Sequence, residues 1–345
     1  MEILLLYLAR FLLSELYGVN PQVILLIAFL LLIFNFVKSP VDFLKITNRH
    51  KKYFIAISLL LIISLYNVDI YSILNIFILL TLPFIKYKSS NYSKYIVFFV
   101  IISTIIYCFI ILTNFSVYIN RSHNYLLLGR GILVCQAFLL FANYQKLKYL
   151  KLPISVLFLI GLAIMHGRLN AIVSLLLIIL FLLKNFKYSW IFLSLSGLIS
   201  TILINFISNL NIGTVKRLLE DQDSITDRIG LVQSASSELQ NIETLFFGGG
   251  LNFSQNIAFK TLGYPYIHNL PLELLLDYGL FSLPILFIWG LMLVRSTKII
   301  FLRNEILLSV LLFVETFQFF KSFEFDQSIS LFLIITLLIN EKNEL

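Results

Sequence analysis

HGRLNAIVSLLLIILFLL, residues 166 to 183, carries an arginine, Arg168, near its start and then runs almost wholly apolar. From Ala171 onward it holds one serine among Ala, Ile, Val, Leu and Phe. A helix built from it has no polar face to turn toward water, so it must be buried in protein or in lipid. Runs of this kind recur along the whole chain of 345 residues, of which 59% are hydrophobic and 13% charged. Soluble domains carry about 25% charged residues. With a mean hydropathy of +0.93, the chain cannot clothe itself in a polar surface, and it reads as an integral membrane protein. The apolar runs continue to the last residues, which argues against a signal peptide followed by a soluble domain.

A bilayer helix needs roughly 20 apolar residues, with a range of about 17 to 25. Candidate spans are 3–17, 21–37, 53–68, 70–85, 95–117, 126–143, 153–167, 169–183, 189–207, 270–293, 304–320 and 328–340. The expected fold is therefore all-α and polytopic, with about 12 transmembrane helices. Residues 1–207 hold the first nine, 208–268 form one long loop with short helices, and 269–345 hold the last three. The first span carries Arg10 and Glu15, so a helix lying in the interface is an alternative there. Cys108 and Cys135 both fall inside apolar runs and read as packing residues rather than a disulfide.

The net charge of +8 raises the question of a nucleic-acid partner. The placement of the charges removes the need for one. Lys38, Lys45, Arg49, Lys51, Lys52, Lys86, Lys88, Lys94, Lys146, Lys148, Lys151, Lys184, Lys187, Arg295, Lys298, Arg303 and Lys342 all fall in one alternating set of loops. They are most of the 26 basic residues, and the positive-inside rule makes that set cytoplasmic. Both termini are then cytoplasmic, and the long loop is extracytoplasmic. That loop holds Lys216, Arg217, Arg228 and Lys260 against Glu220, Asp221, Asp223, Asp227, Glu238 and Glu243, so it is slightly acidic and no polybasic arm. Ser224 or Thr226 is placed to cap a helix through DRIGLVQSASSELQ, with Ile229, Val232 and Leu239 as its apolar positions. No internal repeat marks an inverted-repeat transporter.

The outer face carries the residues with chemistry to offer. Arg168 stands at the outer junction of two spans, where an arginine costs about 2.5 kcal/mol or more without partners or water. It is either a snorkelling residue or an anion clamp, since guanidinium matches phosphate oxygens in pairs. Arg228 is either a surface arginine beside Asp223 and Asp227 or a second clamp. His268 and Asn269 sit where the loop meets the span of GYPYIHNLPLELLLDYGL, residues 263 to 280. An imidazole there is either a hydrogen-bonded structural group or a base with a suitable pKa. Glu273 and Asp277 lie four apart and share a helix face. Gly248 and Gly250, in FFGGGLN, permit either a plain turn or a close approach of backbone N–H groups to an anion. Arg121, His123 and Asn124 repeat a His-Asn pair on the same side. The four histidines have no metal-ligand spacing. No metal or other cofactor is expected.

In order, these pieces resemble the O-antigen polymerase and O-antigen ligase superfamily of bacterial envelope glycosyltransferases. The likeness covers residues 118–295 and is best from Arg228 to Leu280. It rests on an arginine opening a helix, a loop arginine, a Gly-x-Gly turn, then His-Asn, a carboxylate and a glycine. The chain departs from the pattern around Arg168, where MHG precedes it and Leu169 follows in place of a small residue. The resemblance implies a C-type glycosyltransferase-like fold in the bacterial inner membrane with an extracytoplasmic active site. It implies that Arg168, Arg228, Gly248 and Gly250 hold the diphosphate of an undecaprenyl-diphosphate-linked glycan. His268 and Glu273 are then catalytic, and Asn269, Asp277, Arg121 and His123 face the acceptor. The expected partners are lipid-linked donor and acceptor, membrane lipid, a chain-length regulator and a flippase, with no nucleic acid. Polymerisation of repeat units into O-antigen or capsular polysaccharide is the leading function. The alternatives are ligation of the glycan to lipid A core and, from a different class, flipping of the lipid-linked repeat. A flippase needs charges lining a path across the bilayer, and the mid-span charges are few, chiefly Arg10, Arg130 and Glu315.

Overall fold

A computed structural model describes residues 42–66, 70–84, 94–113, 124–141, 149–164, 168–185, 223–250, 252–263, 269–302, 306–320 and 328–341. Among these residues every regular element is a helix, as the apolar periodicity predicts. The candidate spans 3–17, 21–37 and 189–207 lie outside the described residues. One stretch, Leu270–Ile300, is long and apolar enough to cross a membrane by itself. The remaining apolar helices are shorter, so among the described residues the expected all-α class holds, with one membrane-length stretch in place of the count of about twelve spans.

The chain divides into two compact units, Met1–Asn20 with Ser89–Gln222, and Pro21–Lys88 with Asp223–Leu345. In sequence order the helices of the second unit begin with α1 (Asp42–Arg49), α2 (Lys51–Tyr66) and α3 (Ile70–Thr81), the last followed by a 3-10 turn, Leu82–Phe84. The first unit holds α4 (Lys94–Thr113), α5 (Asn124–Phe141), α6 (Lys151–Ile164) and α7 (Arg168–Asn185). The second resumes with α8 (Asp223–Glu238), α9 (Ile242–Phe247), α10 (Phe253–Leu262) and α11 (Leu270–Tyr278). A 3-10 turn, Gly279–Ser282, leads into α12 (Leu283–Leu302), and α13 (Leu307–Phe319) and α14 (Ile329–Glu341) complete the unit.

In the first unit α5 is the central helix, packed by α4, α6 and α7. Residues 128–140 of α5 are buried all round, including Arg130 and Gln136. Gln136 donates through Nε2 to the carbonyls of Ser155 (3.5 Å) and Ser174 (3.4 Å), tying three helices together. Gly129 allows a close approach, because a Cβ there would meet the Asn170 side chain. At the other end of the unit Lys151 Nζ donates to the Leu140 carbonyl at 3.1 Å, placing a cation at the C-terminus of α5. Cys108 and Cys135 are both free thiols, and Cys135 Sγ lies 3.5 Å from Thr104 Oγ1, in keeping with a packing role.

In the second unit α2 packs on α3 and α12, while α13 packs between α12 and α14. Two pairs of polar groups meet inside it. Trp289 Nε1 donates to Thr316 Oγ1 (2.9 Å), and Ser330 Oγ donates to Glu315 Oε2 (3.2 Å). One end of the unit gathers residues assigned to the same side by the positive-inside reading. His50 Nε2 bonds Asn340 Oδ1 at 2.8 Å, and Arg295 Nη1 donates to the Leu338 carbonyl at 3.1 Å.

Candidate functional site

The start of α11 is built from the HNLPLE stretch. Asn269 has extended backbone, φ −154 and ψ 97, and its Oδ1 accepts from the Leu272 N–H at 3.1 Å. It is an N-cap of the preferred chemical type. Pro271 falls within the first turn, where a missing N–H costs nothing. Glu273 stands in that same turn, where the helix dipole favours an acid, and its side chain is buried. His268 directly precedes the cap and lies outside the described residues, as do Arg121 and His123.

Asp277, one turn after Glu273, is also buried. Its Oδ1 accepts from the Ser254 N–H at 2.8 Å. Ser254 lies in the first turn of α10, whose own N-cap residue, Asn252, makes no side-chain cap bond. Asp277 therefore caps α10 from a neighbouring helix. The carboxylate expected to face the acceptor is engaged in holding the loop to α11.

The FFGGG turn has a comparable structural duty. Gly248 and Gly250 have φ of 76 and 84, left-handed values that favour glycine. The Gly248 N–H donates to the Thr244 carbonyl at 2.9 Å, and the Gly249 N–H to the Leu276 carbonyl at 2.8 Å. A Cβ on Gly248 would lie 2.2 Å from the Asp277 carbonyl oxygen, and one on Gly279 would lie 2.6 Å from the Gly248 nitrogen. Two glycines 31 positions apart thus let two backbones touch. The amide hydrogens of Gly248 and Gly249 already serve carbonyls, so of the two glycines expected to hold a diphosphate, Gly248 and Gly250, the first has its N–H engaged within the fold.

Arg228 lies on α8, three positions before Leu231. The helix expected through DRIGLVQSASSELQ is present, beginning at Asp223, but a different face is buried. Leu231 and Ala235 join Ile257 and Ala258 of α10 and Leu276 of α11 in one small core, with Leu239, Phe253, Leu262 and Leu272 around it. Ile229 and Val232, expected to point inward, are 54% and 51% exposed. Leu231 and Ala235 form an equally good i, i+4 pair, and only the partners across the gap choose between the two faces. Arg168 is the first residue of α7, in the other unit.

The second unit therefore brings together the helix bearing Arg228, the glycine turn and the first turns of α11 with Asn269, Glu273 and Asp277. The link from Asp277 to Ser254 was invisible in the sequence, because nothing local to either residue marks it. No family model, no curated protein and no solved structure matches this chain.

Proposed function

We propose that the protein is a bacterial inner-membrane glycosyltransferase that joins undecaprenyl-diphosphate-linked repeat units into O-antigen or capsular polysaccharide on the outer face. The observation that carries this reading is the packing of the loop helices α8 and α10 onto α11 around a single core. That packing holds the loop arginine's helix, the glycine turn and the Asn269–Glu273 helix start in one unit, at the head of the membrane-length stretch Leu270–Ile300.

Two further features support it. Exposed apolar stripes run along the helices, such as Leu283, Phe287, Leu291 and Val294 on α12 and Ile172, Leu176 and Leu183 on α7. Arg130, Gln136, Glu315 and Gln318 are instead buried. Apolar outside and polar inside suits a lipid solvent. In addition, no Asp or Glu falls between Ser89 and Leu219, so no carboxylate neighbouring in sequence neutralises Arg168. An anionic ligand would.

In the proposed reaction the acceptor sugar's hydroxyl oxygen bonds to the donor's anomeric carbon. The bond from that carbon to the diphosphate oxygen breaks, and undecaprenyl diphosphate leaves with the electron pair. The hydroxyl proton passes to His268 or Glu273. Arg228 stabilises the departing diphosphate electrostatically. The same part for Arg168 rests on the family resemblance and on the lack of acidic neighbours in its sequence. No nucleotide sugar is supplied outside the cytoplasm, so an outer-face transferase must draw on a lipid-linked donor.

Envelope glycan profiling of a deletion strain tests the reading. Loss of a polymerase leaves single repeats on core lipid. Loss of a ligase leaves lipid-linked polymer with no attached glycan, and loss of a flippase leaves nothing exported.

A further inference from the structure

The loop helix α9 carries an aromatic pair that the proposed chemistry does not use. Its first turn is mixed: Asn241 Oδ1 accepts from the Glu243 N–H at 3.0 Å, and Ile242 and Glu243 are both exposed. Its last turn is Phe246 and Phe247, which are 48% and 53% exposed. Its C-terminal end is therefore a greasy surface.

The greasy end continues another apolar surface. Phe247 stacks on Phe281, with ring centroids 6.0 Å apart and planes at 27°. Phe281 belongs to the 3-10 turn that feeds α12, and α9 packs against that turn. Two residues further on begins the exposed stripe of α12, Leu283 and then Phe287 at 65% exposure. The aromatic pair therefore extends, without a polar break, the face that the membrane reading turns to lipid.

Depth agrees with continuity. Arg295 marks the cytoplasmic end of this span. At about 1.5 Å per residue, Gly279 stands about 25 Å above it. The hydrocarbon core is about 30 Å thick. The turn beside α9 is then about 5 Å below the outer boundary, the depth at which interfacial helices bury an apolar face.

We infer that Phe246 and Phe247 insert into the outer leaflet of a phospholipid bilayer and dock the extracytoplasmic helices on the lipid surface. This rests on the membrane reading above and names the partner of its outer face. It holds the glycine turn and the start of α11 near headgroup level, where the diphosphate of a lipid-linked donor lies.

The test uses the full chain with Cys108 and Cys135 replaced, reconstituted in vesicles of phosphatidylethanolamine and phosphatidylglycerol. Single nitroxide labels are placed at 246, 247, 287 and 236, and collisions with oxygen and with a water-soluble nickel chelate are measured. Lipid insertion predicts a several-fold higher oxygen-to-nickel ratio at 246 and 247 than at the exposed Ser236, close to that at Phe287. A label at 247 disturbs the stacking on Phe281, and the label at 246 does not. Water-like values at 246 and 247 with a lipid-like value at 287 would overturn the docking and leave the membrane reading standing. A water-like value at 287 would overturn both. Labels at 246 and 247 shielded from both reagents would mean a protein covers them, which also overturns lipid docking.

Discussion

Asp277 on α11 accepts a hydrogen bond from the backbone N–H of Ser254 on α10, across 23 residues of sequence and 2.8 Å of space. This one contact explains why a buried carboxylate follows the His-Asn pair, and why the loop after the glycine turn is helical. An Asp277→Ala substitution leaves a buried N–H without its acceptor and should cost about 1–2 kcal/mol. Asp277→Asn keeps an acceptor oxygen and should retain most of the stability. Thermal unfolding of the purified chain in detergent reads the difference. Equal losses for the two variants would mean that the charge, and not the cap, matters at this position.

The glycines divide sharply by what surrounds them. Gly248→Ala places a methyl 2.2 Å from the Asp277 carbonyl oxygen, so folded protein in the membrane fraction should fall to a small part of wild type. Gly263 has the same φ of 76 and nothing within 4 Å, so Gly263→Ala should cost only the left-handed backbone, about 1–2 kcal/mol. Comparable abundance of the two variants would contradict the backbone joint between Gly248 and Gly279.

Arg168→Ala and Arg228→Ala should each abolish polymer while leaving protein abundance near wild type. Lysine at either position should rescue only in part, because a point charge cannot reproduce a planar two-pronged contact with phosphate. Full activity in both lysine variants would reduce these residues to simple charges.

His50 bears on stability at the opposite end of the unit. Burial lowers its pKa below the usual 6.5, the bond to Asn340 raises it in part, and the neighbouring Arg49 charge lowers it. The folded state thus prefers the neutral ring. The associated stability is complete above pH 6.5 and is lost as pH falls from there toward the depressed folded value. Melting temperatures of the purified protein between pH 5 and 8 should fall on the acid side, and His50→Ala should flatten that slope. An unchanged slope in the variant would assign the acid sensitivity elsewhere.

Much of this architecture was legible in the sequence. The apolar runs beginning near Tyr53, Tyr95, Leu126 and Leu169 all became helices within a few residues of their expected starts. The helix through DRIGLVQSASSELQ was legible too, but it begins at Asp223, so Ser224 and Thr226 lie inside its first turn and do not cap it. Which of its faces turned inward was not legible, because α8 has apolar residues on more than one face and its core partners, Ile257, Ala258 and Leu276, lie 22 to 45 positions away. The run 270–293 was expected as one span, and it falls within the membrane-length stretch Leu270–Ile300; a 3-10 turn, Gly279–Ser282, interrupts the α-helix there, where the chain meets the backbone of Gly248. Asn269 and Glu273 were visible as residues with chemistry to offer. Their capping and dipole roles follow from local helix physics, whereas the role of Asp277 depends on a tertiary neighbour that no local pattern announces.

Purified protein in lipid should be given a synthetic diphosphate-linked repeat unit together with two competing acceptors, a second lipid-linked repeat and a lipid A core, with no divalent metal added. The account predicts a growing ladder of lipid-linked polymer. It also predicts that His268→Ala lowers the rate by about 10² to 10⁴, the span expected for loss of a general base. Transfer of glycan to the lipid A core with no ladder, or a His268→Ala enzyme within about threefold of wild type, would contradict it.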